Sequence, residues 1–276
     1  MRRAFRQVDV FSPEPYRGNP VAVVLDGEGL TSAQMQRFAR WTNLSETTFV
    51  LPPDAPGADY HVRIFTPGTE LPFAGHPTLG TCHAWLEAGH ESGRPDLITQ
   101  QCAAGLVQVR RTADGLGFAA PPLLRSGPVS EPVIEQIAAQ LGIDRADIVD
   151  AQWADNGPGW VAVLLASADA VLALRPGAVE FDLGVAGPYP PGSATALEVR
   201  AFFQVDGRTV EDPVTGSLNA SLGQWLLASG RVAPPYVASQ GTVLGRRGRV
   251  HVSRDDDGTI WVAGATVTRI SGQVDL

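Results

Sequence analysis

Two carboxylates and one histidine stand where the sequence changes from a turn to a strand or helix, and these residues could move a proton. Glu46 lies in NLSETTF (43–49), where a polar turn leads into an apolar, β-branched run. Asp212 precedes a segment of small and apolar residues, and His76 opens a similar one. A carboxylate at a strand edge is partly desolvated, which suits a general acid or base. The alternative is that Asp212 is an ordinary helix-start acid and Glu46 a solvated edge residue.

The two small, apolar segments begin alike. GHPTLGTCHAWLEAG (75–89) opens with Gly75 and His76, and GSLNASLGQWLLASG (216–230) opens with Gly216 and Ser217. The first turn of a helix presents free N–H groups and partial positive charge, and glycine lets a ligand approach them closely. Two such ends facing one cleft would hold an anion such as a carboxylate. The alternative is that Gly and Ser only begin helices.

Other common chemistries fit the sequence poorly. All 21 basic residues are Arg, so no lysine can form a Schiff base or attach pyridoxal phosphate. His76, His83 and His90 recur every seven residues, which on a helix is roughly 10 Å, too far for one metal ion. Cys82 and Cys102 make no disulfide framework. A thiol pair as in a racemase is an alternative, but buried inert thiols fit better. We therefore predict neither metal nor cofactor.

Four blocks of the sequence recur in the same order about 140 residues later. They are VAVVL (21–25) with VAVLL (161–165), VRIF (62–65) with VRAF (199–202), the two segments above, and VQVRRTADGLGF (107–118) with VHVSRDDDGTIW (250–261). Recurring Val/Ala strings explain the first match but not the 15-residue one. We predict a duplicated unit with domains over 1–125 and 126–276, the last residues being able to return to the first domain.

Short β-branched runs bounded by turn residues predict strands. They cover 21–25, 47–51, 61–65, 106–110, 160–166, 197–203, 249–252 and 260–263. Helices are predicted from the capping box at Thr31 and over 131–142, besides the two segments above. Those segments lack a polar face, so each must be buried. The prediction is an α+β fold of two similar, barrel-like units, each with strands around a central helix, and a ligand cleft between them.

Composition limits the partners. The net charge of −8 and pI of about 5.1 argue against nucleic acid and anionic membranes. No apolar run approaches the roughly 20 residues that a membrane span needs, and the start shows no secretion signal. We expect a cytoplasmic protein with a small-molecule partner.

The chain resembles the phenazine-biosynthesis PhzF isomerase family along essentially its whole length. The matching stretches are Asp9-x-Phe11, GNPVAV (18–23), NLSETTF (43–49), RIFTP (63–67), ELPFAGHPTLG (70–80), EDPxTGS (211–217) and Gln240-Gly241. The resemblance implies a diaminopimelate epimerase-like fold and a homodimer. It also implies a cofactor-independent isomerase that acts on a small carboxylic acid similar to trans-2,3-dihydro-3-hydroxyanthranilate.

The resemblance also assigns roles to individual residues. Glu46 matches the acid/base glutamate, and His76 and Asp212 match polar groups around the substrate, so we take all three as catalytic candidates. The candidates for substrate binding are Asn19, Ser45, Gly75, Gly216 and Ser217.

Two other functions stay open. One is a cofactor-independent amino-acid racemase or epimerase, which the absence of cysteines at the helix starts disfavours. The other is a small-acid-binding protein without catalysis. The stretch LNAS (218–221) departs from the phenazine enzyme, which leaves the substrate open.

Overall fold

The computed structural model describes residues 1–94 and 96–276. The described chain divides into two compact units, one of Met1–Ala119 with Ala263–Leu276 and one of Ala120–Val262. Its strands, in chain order, are β1 (Arg2–Val10), β2 (Asn19–Val24), β3 (Glu46–Leu51), β4 (Tyr60–Phe65), β5 (Glu70–Leu71), β6 (Leu97–Cys102), β7 (Gly105–Thr112), β8 (Gly115–Ala119), β9 (Arg125–Pro128), β10 (Ile148–Asp155), β11 (Val161–Leu165), β12 (Leu183–Pro188), β13 (Leu197–Val205), β14 (Arg208–Asp212), β15 (Tyr236–Gln240), β16 (Gly248–Arg254), β17 (Ile260–Gly264) and β18 (Thr266–Asp275). The helices are α1 (Ser32–Thr42), α2 (Gly75–Glu87), α3 (Glu131–Leu141), α4 (Ala168–Ala173) and α5 (Gly216–Ala228), with short 3-10 turns over Arg145–Asp147 and Thr242–Leu244.

The first unit is a mixed sheet with one central helix. Strand β1 pairs antiparallel with β2 and with β18, whose register joins Arg2 to Asp275. Strands β2 and β3 are parallel, β3 and β4 antiparallel, and β4 pairs antiparallel with β5 and parallel with β6. Strand β6 continues antiparallel to β7, which pairs with β8. Helix α2 packs on several of these strands, including β1, β2 and β3.

The second unit repeats the same pairings in the same order. Strands β10 and β11 are antiparallel, β11 and β12 parallel, and β12 and β13 antiparallel. Strand β13 pairs antiparallel with β14 and parallel with β15, and β15 pairs antiparallel with β16. All four repeated sequence blocks fall on equivalent elements of this plan.

An arginine–glutamate ion pair also recurs. Arg63 on β4 binds both carboxylate oxygens of Glu70 on β5, at 2.7 and 2.6 Å. Arg200 on β13 binds both oxygens of Glu211 on β14, at 3.0 and 2.7 Å. In each unit the guanidinium lies over the phenylalanine two residues later in the same strand, 5.1 Å from the ring centre in the first and 4.8 Å in the second.

Helices α2 and α5 are buried over most of their length, as the missing polar face predicts. Small residues make this possible. A Cβ on Gly80 of α2 would lie 2.3 Å from Val21 Cγ1, and one on Gly223 of α5 would lie 3.0 Å from Val252 Cγ1. The strands can therefore approach the helix backbone closely.

The predicted α+β class is confirmed, as is the capping box of α1. Thr31 accepts from the backbone of Gln34 while the Gln34 side chain accepts from the backbone of Thr31. The 131–142 helix is present as α3. The sequence analysis missed α4 and several strands, among them β1, β10, β12 and β18.

Candidate functional site

The first candidate site lies where β2, β3 and α2 begin. Strands β2 and β3 are parallel, with Val21 opposite Glu46, so their starts share one edge of the sheet. Glu46 is the first residue of β3, Asn19 the first of β2, and His76 the second of α2. The fold thus brings three predicted site residues together, and Ser45 directly precedes Glu46.

Glu46 and His76 are in contact. Glu46 Oε2 lies 3.2 Å from His76 Nε2, with the Glu46 side chain 15% exposed and that of His76 4% exposed. The two atoms are close but are not aligned as a hydrogen bond. Burial lowers the pKa of His76 to about 3. The ring is therefore neutral at physiological pH, and Glu46 faces a dipole rather than a cation.

Asn19 lies against the other ring nitrogen of His76. The Asn19 amide nitrogen is 3.3 Å from His76 Nδ1, and both side chains are buried. A hydrogen bond to the Pro20 backbone raises the pKa of His76, but the burial of the ring outweighs it. The ring is thus held between Asn19 at Nδ1 and Glu46 at Nε2.

The Asp9-x-Phe11 and GNPVAV motifs explain how Asn19 is held. Asp9 is buried and its Oδ2 accepts from the backbone N–H of Arg17, which ties down the loop before β2. Burial raises the pKa of Asp9, opposed by the charge of Arg269. A Cβ on Gly18 would lie 2.1 Å from the Val10 carbonyl oxygen, so only glycine fits there.

The second candidate site surrounds the start of α5. Asp212 ends β14 and is buried, and its Oδ2 accepts from the Thr215 hydroxyl at 2.6 Å. Ser217, also buried, accepts from Trp160 Nε1 at 3.0 Å through its hydroxyl and from Asn156 Nδ2 at 2.9 Å through its carbonyl. The Ser217 hydroxyl keeps its own proton to donate.

Neither buried helix is capped by the side chain of its own N-cap residue. Residues Ala74 and Thr215 stand at the caps of α2 and α5 without a side-chain capping bond, and neither helix has an acid in its first turn. Gly75 and Gly216 are the first helical residues. The first turns themselves therefore carry no acid, but the site carboxylates lie beside them: Glu46 contacts His76 of α2, and Asp212 accepts from Thr215 at the start of α5. Each helix start thus combines its partial positive charge with a carboxylate from a strand.

The two sites share one construction. In each unit the second residue of the buried helix contacts a side chain at or directly before the start of an equivalent strand: Asn19 of β2 lies against His76, and Trp160, just before β11, donates to Ser217. Asn156, Trp160 and the Thr215 hydroxyl were missed by the sequence analysis. Asn156 and Trp160 contact Ser217 from 61 and 57 residues away, so no local pattern signals them. The Thr215 hydroxyl bonds Asp212 only three residues away, within the EDPxTGS stretch.

The remaining histidines and thiols have separate environments. His83 Nδ1 lies 3.1 Å from Thr266 Oγ1, and His90 stacks on Trp85. Cys82 and Cys102 are buried, and burial raises the pKa of Cys82 to about 12 and raises that of Cys102. Burial disfavours the thiolate of both, and neither lies at the start of a buried helix, so a two-thiol acid/base racemase does not fit. Across residues 1–94 and 96–276, no three metal-binding side chains are grouped, and none of the helices is long and apolar enough to cross a membrane.

Comparison with known proteins supports the resemblance. The family model described as phenazine biosynthesis-like protein, PhzC-PhzF, matches residues 8–272. Antisense-enhancing sequence 1 of Schizosaccharomyces pombe is 36% identical over 98% of both chains. Trans-2,3-dihydro-3-hydroxyanthranilate isomerase of Pseudomonas fluorescens is 37% identical over 87% of this chain and 86% of its own.

Solved structures show the same fold. A PhzF-family protein of Bacillus anthracis superposes with a TM-score of 0.84 at 24% identity, covering all of both chains. A hydroxyproline epimerase of Agrobacterium vitis superposes with a TM-score of 0.61 at 15% identity, covering 99% of this chain and 92% of its own. The predicted epimerase-like fold is thus confirmed. The chain belongs to the phenazine biosynthesis-like PhzC-PhzF family, whose named relatives include several isomerases.

Proposed function

We propose that this protein is a cofactor-independent isomerase that moves a proton within a small cyclic or unsaturated carboxylic acid. The contact between Glu46 and His76 carries the proposal. A mostly buried carboxylate, facing a neutral N–H donor and the start of an uncapped helix, is built for acid/base chemistry on an anionic substrate.

Glu46 is the proposed proton carrier. It takes a proton from a carbon activated by the neighbouring π-system, and the electron pair moves along that system. The resulting glutamic acid then gives the proton to another atom of the same system. The electrons stay within the substrate, so the reaction as written needs no redox partner.

His76 is the proposed partner of Glu46. Its Nε2–H stabilises the Glu46 carboxylate between turnovers without adding charge, because the ring is neutral. We propose that the Asn19 amide donates to Nδ1 and so keeps this proton on Nε2. We therefore propose that Asn19 acts mainly through His76, and that Ser45 and the backbone at Gly75 contact the substrate.

Asp212, Gly216 and Ser217 are proposed as further substrate-binding groups, with Asp212 also serving acid/base steps. The Ser217 hydroxyl is oriented by Trp160 and can donate to a carboxylate. Support for the substrate class comes from the isomerase of Pseudomonas fluorescens, named for trans-2,3-dihydro-3-hydroxyanthranilate. The expected homodimer and cytoplasmic location stay predictions.

The test is steady-state turnover of trans-2,3-dihydro-3-hydroxyanthranilate by wild type and Glu46→Gln. We expect the substitution to lower kcat by roughly 10²–10⁴-fold, the usual worth of a positioned acid/base, with little change in product affinity. Glu91→Gln removes the same charge from an exposed position and serves as the control. A wild type that binds the acid but never isomerises it would favour the non-catalytic alternative.

A further inference from the structure

Gln240 is fully buried beside the start of α5, and it makes four hydrogen bonds there. Its Oε1 accepts from the Thr215 backbone N–H and from Asn219 Nδ2, both at 2.9 Å. Its Nε2 donates to Thr215 Oγ1 at 2.8 Å and to the Asp212 carbonyl at 3.3 Å. The proposed mechanism uses none of these bonds.

The orientation of the Gln240 amide is unambiguous. A backbone N–H can only donate, so the atom facing the Thr215 N–H must be the amide oxygen. The amide nitrogen therefore faces Thr215 Oγ1. The next residue, Gly241, has a φ of 87°, and a Cβ there would lie 2.5 Å from the Pro213 carbonyl oxygen, so the position suits glycine.

The amide in turn fixes the direction of the Thr215 hydroxyl. Oγ1 accepts from Gln240, so its own hydrogen points to its other partner, Asp212 Oδ2 at 2.6 Å. All three side chains are at most 8% exposed, so water does not compete readily for these bonds. The hydroxyl is held as a donor to Asp212.

We propose that Gln240, acting through the Thr215 hydroxyl, is a positioning residue that holds the Asp212 carboxylate in one orientation for the substrate. Gln240 does not touch the reacting atoms. The expected effect on turnover rests on the proposed function. The hydrogen-bonded link from Gln240 through Thr215 to Asp212 does not.

The rate test uses four variants. Thr215→Val keeps the shape and removes the hydroxyl, whereas Thr215→Ser keeps the hydroxyl. Gln240→Glu keeps an acceptor for the helix start and removes the donor, and exposed Gln273→Glu controls for the added charge. With trans-2,3-dihydro-3-hydroxyanthranilate, we expect Thr215→Val and Gln240→Glu to lower kcat/KM by roughly 10–100-fold, as misplacement of a reacting group does.

The double variant tests the route of action. Thr215→Val should lower kcat/KM much less in the Gln240→Glu background than in wild type. Thr215→Ser should restore most of the activity lost in Thr215→Val. A purely structural role would lower the thermal midpoint and leave kcat/KM unchanged. Equal kcat/KM for Thr215→Val and Thr215→Ser would overturn the proposal.

Thermal unfolding of the same variants without substrate gives a second, independent readout. The drop in midpoint caused by Thr215→Val should be smaller in the Gln240→Glu background than in wild type, because the bond is already lost. Two drops that add would overturn the proposal. If wild type fails to turn over the acid, the proposed function loses its substrate, and the unfolding result alone supports or overturns the hydrogen-bonded link between Gln240 and Thr215 on which the proposal depends.

Discussion

At the residue scale, the chemistry of the first site depends on His76 being neutral. Burial lowers the pKa of this ring to about 3, and the ring lies between Asn19 and Glu46. A charged imidazolium would hold Glu46 in an ion pair and weaken it as a base. A neutral donor leaves the carboxylate basic while fixing its position.

The low pKa of His76 predicts an acid-sensitive stability. An unfolded histidine titrates near 6.5. Below that pH the histidine binds a proton in the unfolded state but not in the folded state. The free energy of unfolding therefore falls as pH drops from about 6.5 towards 3. His76→Gln removes this titration.

The difference in free energy of unfolding between wild type and His76→Gln should therefore shrink by about 2 kcal/mol between pH 7 and pH 5. Urea denaturation at the two pH values measures it. A difference that stays constant would mean that His76 is not buried as a neutral ring.

At the element scale, close helix–strand packing holds the site residues in register. Helix α2 places His76 beside Glu46 only because β2 can lie directly against the helix at Gly80. A Cβ added at Gly80 would lie 2.3 Å from Val21 Cγ1, so any larger residue there would require Val21 or its strand to move.

Gly80→Ala should lower the free energy of unfolding by about 1–3 kcal/mol, the usual cost of overpacking a core. Gly272→Ala is the matched control, since a Cβ there meets no atom within 4 Å. Chemical denaturation of both variants measures the difference. Equal stability of the two would show that α2 does not pack as tightly as described.

Sequence patterns predicted the elements with strong local signals. The capping box fixed the start of α1, and the lack of a polar face predicted the burial of α2 and α5. Strand β18 was missed because it is largely exposed and polar, and it is defined by pairing with β1 at the other end of the chain. Such non-local pairing leaves no periodic signal in the strand itself.

The site residues that stand in local sequence motifs were likewise predictable, whereas those held by distant contacts were not. Glu46, His76 and Asp212 stand at local transitions and in recognisable motifs. Trp160 and the amide of Gln240 act on Ser217 and Thr215 through contacts 57 and 25 residues apart. These contacts become apparent only in the folded structure.

At the scale of the whole molecule, the duplication gives two versions of one ion pair for comparison. The side chains of Arg200 and Glu211 are 4% and 11% exposed, while those of Arg63 and Glu70 are 22% and 37% exposed. The paired bond to the glutamate is the same in both, while Arg200 also donates to the Val171 and Leu174 carbonyls and Arg63 to the Ser32 hydroxyl. Burial is the difference that bears on the charge of the glutamate.

Glu211→Gln should destabilise by about 3 kcal/mol, because it leaves a buried guanidinium without its counter-charge. Glu70→Gln should cost about 0–1 kcal/mol, as exposed pairs usually do. Denaturant titration of both variants gives the comparison. A larger cost for Glu70→Gln would contradict the explanation by burial.

The central claim is that Glu46 carries the transferred proton, and a label on that proton tests it most directly. The substrate is deuterated at the ring carbon that loses its proton and is mixed with excess enzyme. Proton and deuterium NMR then follow the position of the label. We predict that wild type moves the label to a second atom or exchanges it with water. Folded Glu46→Gln should bind the substrate and leave the label in place over many wild-type turnover times. Label transfer by Glu46→Gln at the wild-type rate would contradict the account.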